Sequence, residues 1–262
     1  MPFFFYVINQ MKLYFPNNVF SRLMAKNLPD TLRSSVEFIS SPLLTSKLNE
    51  TSGSAALIPT MDLIKNKNLF VSRSFGISFE GTLCNSYFYY GSSQKEISTL
   101  NLFGDVSAVE VIMCKLLFKE LYNSEIELAV LSDELKIKAN NILVVGDKNF
   151  SSGIYSEGIS FSEEIIETLS LPFVNYVLAS GAESAMKSLN KEFEGIGNKI
   201  YDNAEEILSS ENLPQNIIDY ISENISSFIT EFDEQDAEGI EQILRLPYFH
   251  GMIDDIVEVK FV

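Results

Sequence analysis

Short apolar runs alternate along the chain with segments of helical periodicity. The first run, residues 11–15, leads into Pro16-Asn17-Asn18, where either asparagine can cap a following helix. Later apolar runs at 36–39, 55–58, 100–103 and 142–145 are each followed within a few residues by Ser, Thr, Pro or Gly, where a helix can begin. Strand-helix alternation of this kind predicts an α/β fold with doubly wound, parallel sheets.

The alternation begins a second time at Leu100, after an extended stretch at residues 83–90. A second extended stretch covers residues 171–178, and the chain beyond it has helical periodicity only. This pattern predicts two doubly wound sheets in two lobes, joined by two extended crossovers. We expect lobe 1 to comprise residues 1–90 plus 179–262 and lobe 2 to comprise residues 91–178, with a ligand between them.

The ends of the predicted strands are where chemistry is expected. In open α/β sheets, ligands lie beside the carboxyl ends of the strands, and helix N-termini there carry free N–H groups and a partial positive charge. Thr60, Ser107 and Gly146 each follow a predicted strand directly or within a few residues. These residues, with Asn17 and Ser86, are therefore expected to converge on one cavity.

Composition restricts the possible partners. The 262-residue chain has 36 acidic and 19 basic residues, a net charge of -17, which argues against nucleic acid or an anionic membrane as a partner. A single histidine, His250, excludes a His-rich metal site, and no glycine-rich phosphate-binding motif occurs. We therefore expect no metal and no cofactor. The oligomeric state stays open.

Cysteine content bears on the compartment. Cys84 and Cys114 are too few for a disulfide framework, and both lie in apolar surroundings. The first eight residues are apolar but have no basic segment before them and are too short for a signal peptide. These features predict a cytoplasmic protein.

Several short motifs occur in an order and spacing that resemble one known family. They are Ile58-Pro59-Thr60-Met61-Asp62, Gly76-Ile77-Ser78, Gly81, Ser86, Val145-Gly146-Asp147, Leu171-Pro172-Phe173-Val174, Tyr220-Ile221, Ile225 and Gly239. Together they resemble the menaquinone-biosynthesis family that contains chorismate dehydratase of the futalosine pathway. The resemblance implies a type II periplasmic-binding-protein-like fold. It also implies a lyase that eliminates water from chorismate to give 3-[(1-carboxyvinyl)oxy]benzoate.

The resemblance also implies site residues. Tyr14-Phe15-Pro16-Asn17-Asn18 stands where the family has Ser-Tyr-Leu-Asn-Ser, and the segment from Gly81 to Tyr87 is similar to the family's Gly-Pro-Val-x-Ser-Val. Asn17 and Ser86 are thereby the implied catalytic residues, since an amide and a hydroxyl can orient a substrate and stabilise developing charge. The implied substrate-binding residues are Thr60, Asn85, Ser107, Gly146 and Asp147.

One junction departs from the family pattern. The family has Asp-Thr-Ser-Ser-x-Thr-Ser where this chain has Gly104 to Glu110, so only Ser107 is kept, while Asp105 and Glu110 add negative charge. Three hypotheses follow: a chorismate dehydratase-like lyase, a non-catalytic protein that binds or senses a small carboxylate, and a futalosine-pathway enzyme with another substrate. In each, the partner is a small molecule. Lys12, Arg73 and Lys148 are the basic residues nearest the predicted strand ends.

Overall fold

The computed structural model describes residues 11–91, 97–132, 141–151 and 153–262. Its strands, in chain order, are β1 (Leu13–Pro16), β2 (Val36–Ile39), β3 (Ala55–Pro59), β4 (Phe70–Phe79), β5 (Ser86–Tyr89), β6 (Thr99–Gly104), β7 (Glu127–Val130), β8 (Ile142–Val145), β9 (Ile159–Ser160), β10 (Phe173–Ser180), β11 (Phe228–Glu231) and β12 (Lys260–Phe261).

The described α-helices are α1 (Val19–Lys26), α2 (Asp30–Arg33), α3 (Leu44–Glu50), α4 (Ala108–Tyr122), α5 (Lys148–Ser151), α6 (Phe161–Leu169), α7 (Glu183–Phe193), α8 (Ile196–Ser209), α9 (Gln215–Glu223) and α10 (Glu234–Phe249). Short 3-10 helices cover Ser41–Leu43, Thr60–Ile64, Ile154–Glu157 and Ile225–Ser227. In the described ranges, no helix is both long and apolar enough to cross a membrane.

The strands form two sheets, which confirms the predicted two-lobed α/β fold. The first sheet has the order β11-β4-β10-β3-β1-β2, with β12 also paired to β4, and the second has the order β7-β6-β8-β5-β9. In the first, β1 is parallel to β2 and β3; in the second, β6 is parallel to β7 and β8. Strands β10 and β5 run antiparallel to their neighbours in these sheets.

Sheet membership differs from the predicted boundaries at both crossovers. Strand β5 was expected in the first lobe but pairs with β8 and β9, and β10 was expected largely in the second lobe but pairs with β3 and β4. The chain therefore changes sheet between Phe79 and Ser86, and again between Ser160 and Phe173. An extended crossover looks the same in sequence whichever sheet it enters, because the pattern shows extension and not the partner strand.

Two local interpretations of the sequence also differ from the structure. Residues 76–81 have a composition typical of turns, yet strand β4 continues to Phe79. Within it, Ser78 pairs with both β10 and β11. Gly76 serves close packing there, because a Cβ atom would overlap the Phe232 ring. The segment beyond residue 178 is not purely helical, since β11 and β12 extend the first sheet. Their short length leaves little periodicity to detect.

Aromatic packing joins the two lobes in one core. Phe20, on α1 of the first lobe, lies with its ring 4.9 Å from that of Phe79 and 5.8 Å from that of Phe150, which belongs to α5 after β8. All three side chains are fully buried. Because burying one such side chain stabilises the fold by about 1.5–3 kcal/mol, the lobes are held together by apolar contact as well as by polar groups.

Candidate functional site

The carboxyl ends of the two sets of parallel strands face each other. Residues after β1, β2 and β3 form one edge, and residues before β5 and after β6 and β8 form the other. We call this region the interlobe site. Its position agrees with the expectation for open α/β sheets, and hydrogen bonds between the two edges show that the lobes are closed on each other.

Asp147 makes one of these connections. Its Oδ1 accepts a hydrogen bond of 2.8 Å from the N–H of Val19, the first residue of α1, and its Oδ2 lies 2.7 Å from Nη2 of Arg22. Arg22 also bonds Glu211 at 2.6 Å and donates to Oδ1 of Asn17 at 3.3 Å. Burial opposes the charge on Arg22, but Asp147 and Glu211 outweigh it and raise the pKa of the guanidinium.

Asp105 makes the second connection. Both of its carboxylate oxygens lie 3.0 Å from the backbone N of Ser41, and the Ser41 hydroxyl donates to Oδ2 at 2.6 Å. The Tyr176 hydroxyl lies 2.8 Å from Ser41 Oγ and can donate to it. Burial raises the pKa of Asp105, the Ser41 hydrogen bonds lower it, and nearby Asp147 raises it further.

The backbone before Asp105 requires glycine. Gly104 ends β6 with φ +100°, and a Cβ atom there would overlap the Val145 carbonyl oxygen of β8. Gly146 turns the chain after β8 with φ +88°, and its N–H donates to the Asn85 carbonyl at 2.7 Å. Both acidic residues therefore follow a glycine turn at the end of a parallel strand.

Glu110 is a third carboxylate, in the first turn of α4. Its Oε2 accepts from the backbone N of Ser107 at 2.8 Å and from the Ser107 hydroxyl at 2.7 Å, a capping box at the helix start. Burial raises the pKa of Glu110, while Ser107 and the neighbouring Asn175 lower it. Burial also raises the pKa of Tyr176, as do Glu110 and Asp105, so these three groups are neighbours.

Several buried polar atoms at the site make no hydrogen bond within the described part of the chain. They are both amide atoms of Asn85, both amide atoms of Asn175, the Ser86 hydroxyl and Oε1 of Glu110. Asn175 nevertheless lies close enough to Glu110 to lower the pKa of its carboxyl. Proteins rarely leave such groups unpaired, so each is a candidate for contact with a ligand. Burial raises the pKa of the nearby Cys84 thiol to about 11, which disfavours the thiolate form.

The structure brings most of the predicted site residues together. Arg22 links Asn17 to Asp147, Gly146 bonds Asn85, and Ser86 pairs with Val145 across β5 and β8. Ser107 bonds Glu110, which acts electrostatically on Tyr176, the hydrogen-bond partner of Ser41. Thr60 lies at the end of β3, but its buried hydroxyl donates to the Val174 carbonyl at 2.7 Å and so has a structural partner. Asn17 is exposed, and the cap of α1 is Asn18, which accepts from Ser21 N. The functional roles of all these residues stay predictions.

Three residues at the site were not identified from sequence. Arg22 lies one turn beyond the Asn18 cap, and Ser41 follows β2 in the same way that other site residues follow their strands. Both positions could have been found by inspecting the residues that follow every predicted strand in the same way. Tyr176 gave no signal, because it is one apolar position of the buried strand β10. Arg73, expected near a strand end, lies instead with its guanidinium 5.6 Å from the ring of Phe261 in β12.

Metal binding has no support in the described residues, where no three His, Cys, Asp or Glu side chains are arranged to hold an ion. The chemistry that the site offers is hydrogen bonding from amides and hydroxyls beside three carboxylates.

Comparisons with known proteins identify the fold. No protein-family model matches the sequence, and no curated protein is significantly similar to it. Protein AF1704 from Archaeoglobus fulgidus superposes with a TM-score of 0.66 at 10% identity, covering 93% of this chain and 98% of its own. The zinc-bound ligand-binding component of an ABC-type import system from Staphylococcus aureus gives 0.64 at 12% identity, covering 95% and 96%.

A third solved structure, the periplasmic aliphatic sulphonate binding protein SsuA from Escherichia coli, gives a TM-score of 0.60 at 10% identity, covering 95% of this chain and 90% of its own. Identities this low bear on the fold alone. The chain has the two-lobed type II periplasmic-binding-protein-like fold.

Proposed function

We propose that this protein binds a small polar molecule at the interlobe site. The observation that carries the proposal is the group of buried, unpaired polar atoms on Asn85, Ser86 and Asn175 beside the facing strand ends. Each buried group left without a partner costs about 1–3 kcal/mol, and a ligand that hydrogen-bonds to them removes that cost. Ligand entry requires the lobes to separate, because Asp105 and Asp147 bridge them.

Thermal unfolding with a panel of small polar metabolites tests this proposal. A ligand at 100 times its Kd stabilises a protein by about 2.7 kcal/mol. We expect Asn85→Ala and Ser86→Ala to reduce the stabilisation given by any ligand found. Ser222→Ala is the matched control, because the Ser222 hydroxyl also has no partner among the described residues but lies on α9. A ligand whose effect is unchanged by both site variants would contradict the proposal.

A second candidate function is the chorismate dehydratase-like lyase. It is supported by Asn17 and Ser86, the two residues that the family resemblance implies as catalytic, since Ser86 has a buried unpaired hydroxyl and Asn17 is linked to Asp147 through Arg22. In the elimination, a ring proton and the leaving hydroxyl depart together as water. Asn17 and Ser86 would orient the substrate and stabilise the developing charge through hydrogen bonds.

Incubation with chorismate tests the second candidate, with the aromatic enolpyruvyl product measured by absorbance and mass spectrometry. The lyase function requires turnover by the parent and a loss of at least tenfold in Ser86→Ala and in Asn17→Ala. Product formation no greater than in these variants would exclude the lyase. Binding of chorismate without its consumption would support the binding or sensing function instead. The cytoplasmic location of the protein stays a prediction from its cysteine content.

A further inference from the structure

Three carboxylates of this chain already use the hydrogen-bond donors that an anionic ligand would need at the interlobe site. Asp147 accepts from the N–H of Val19, Asp105 from the N–H and hydroxyl of Ser41, and Glu110 from the N–H and hydroxyl of Ser107. Backbone N–H groups at a helix start are a common anion site in proteins. Here the helices α1 and α4 both have such donors bonded to an acidic side chain.

The positive charge of Arg22 is also used within the protein. Arg22 forms ion pairs with Asp147 at 2.7 Å and with Glu211 at 2.6 Å, and its remaining terminal nitrogen donates to Asn17. An anion approaching Arg22 would have to displace Asp147. It would then lie near the carboxylate of Asp105, which is close enough to Asp147 for their charges to interact. Like charges at this spacing repel strongly in a partly buried site.

The groups that remain for a ligand are of a different kind. Asn85 and Asn175 offer amide donors and acceptors, Ser86 offers a hydroxyl, and Glu110 offers Oε1, all of them buried. A carboxylate oxygen accepts hydrogen bonds from N–H or O–H groups and attracts a protonated amine. This set therefore suits amine or hydroxyl groups. These four side chains include no cation that could balance the charge of an acid.

We propose that the interlobe site takes a small amine- or hydroxyl-bearing molecule without an acidic group, and that Asp105 and Asp147 exclude carboxylates, sulfonates and phosphates by using the anion donors themselves. The proposal rests on the interlobe site being the binding site. It disfavours chorismate, which carries two carboxylates, as the ligand.

Isothermal titration of the full chain with chorismate and with ethanesulfonate tests the exclusion directly. The variants are Asp147→Ala, Asp105→Ala and the double variant, which free the N–H groups of Val19 and Ser41. Asp202→Ala is the matched control, because it removes one negative charge from the exposed face of α8. If Asp105→Ala does not melt cooperatively, Asp105→Asn replaces it, since the amide removes the charge but keeps an acceptor for Ser41.

We expect the parent and Asp202→Ala to bind both anions with a Kd weaker than about 1 mM, and the double variant to bind at least one of them tenfold tighter or more. A parent Kd near 10 μM or tighter for either anion would overturn the exclusion. A double variant that gains no more than Asp202→Ala would overturn it as well. Neither result depends on Asn85→Ala or Ser86→Ala, so failure of the exclusion is distinguishable from failure of the binding proposal.

Discussion

The two lobes share one strand order but present opposite chemistry to each other. In the first sheet the order β2-β1-β3-β10-β4 places the crossover strand β10 fourth, and in the second sheet the order β7-β6-β8-β5-β9 places the crossover strand β5 fourth. The first lobe presents donors at the interlobe site, such as Val19 N–H, Ser41 and Arg22, whereas the second presents Asp105 and Asp147.

This difference separates what the fold determines from what the loops determine. The shared topology brings the carboxyl ends of the parallel strands together, and the residues that follow those strands decide which groups meet there. Because one edge donates and the other accepts, the lobes of this chain satisfy each other's polar groups. The predictions below alter one edge at a time.

The largest expected effect is on the second lobe, at Gly104. Gly104→Ala should lower the free energy of unfolding by about 3–4 kcal/mol, because the residue has positive φ and its Cβ would overlap Val145 of β8. Urea denaturation measures this. Gly53→Ala is the control, since Gly53 has φ +72° with open space around it, and should lose about 1 kcal/mol. Equal losses in the two variants would show that the close approach of β6 and β8 is unimportant.

On the first lobe, Arg22→Met should lower the free energy of unfolding by about 2–3 kcal/mol, because it leaves the partly buried carboxylates of Asp147 and Glu211 without their partner. Methionine keeps most of the side-chain length and apolar contact. Lys187→Met removes an exposed ion pair with Glu183 on α7 and should cost at most about 0.5 kcal/mol. If both substitutions cost the same, Arg22 does not join the lobes.

The two helix caps at the interlobe site allow a direct comparison of the edges. Ser107→Ala should cost about 1.5–2 kcal/mol, because it removes the cap of α4 and one of the two donors to buried Glu110. Asn18→Ala removes only the bond from Ser21 N at the start of α1 and should cost about 1 kcal/mol. Thermal unfolding of both variants measures the two stability losses. A larger loss for Asn18→Ala than for Ser107→Ala would contradict the expected order.

The smallest expected effect depends on pH. Burial raises the pKa of Glu110 above its value in the unfolded chain, so the folded protein binds more protons and gains stability as pH falls through the raised pKa. Glu110→Gln lacks this group while keeping an acceptor for Ser107. We therefore expect the variant to be more stable than the parent near pH 8, with an advantage that shrinks as pH falls. Urea midpoints across pH measure it, and an advantage that grows in acid would contradict the assigned cause.

The sequence predicted the strand ends better than the contacts between them. The apolar run before Asn17-Asn18 and the start of α4 at Ser107 were both predictable, because strand period and capping are local properties. The bond between Asp105 and Ser41 joins residues 64 positions apart and depends on how the lobes meet. Local patterns therefore predicted a negative charge near the site at Asp105, but they could not predict that Ser41 is its partner.

The placement of the crossover strands has a consequence for folding during synthesis. The second sheet is built from strands between Ser86 and Ser160, so its pairing partners are all available soon after that stretch is made. The first sheet needs β10 between β3 and β4, and later β11 and β12, so strands made early must wait for partners made much later. Until β10 arrives, the facing edges of β3 and β4 have unpaired backbone groups, which makes the nascent first lobe the part of this protein most in need of protection from aggregation.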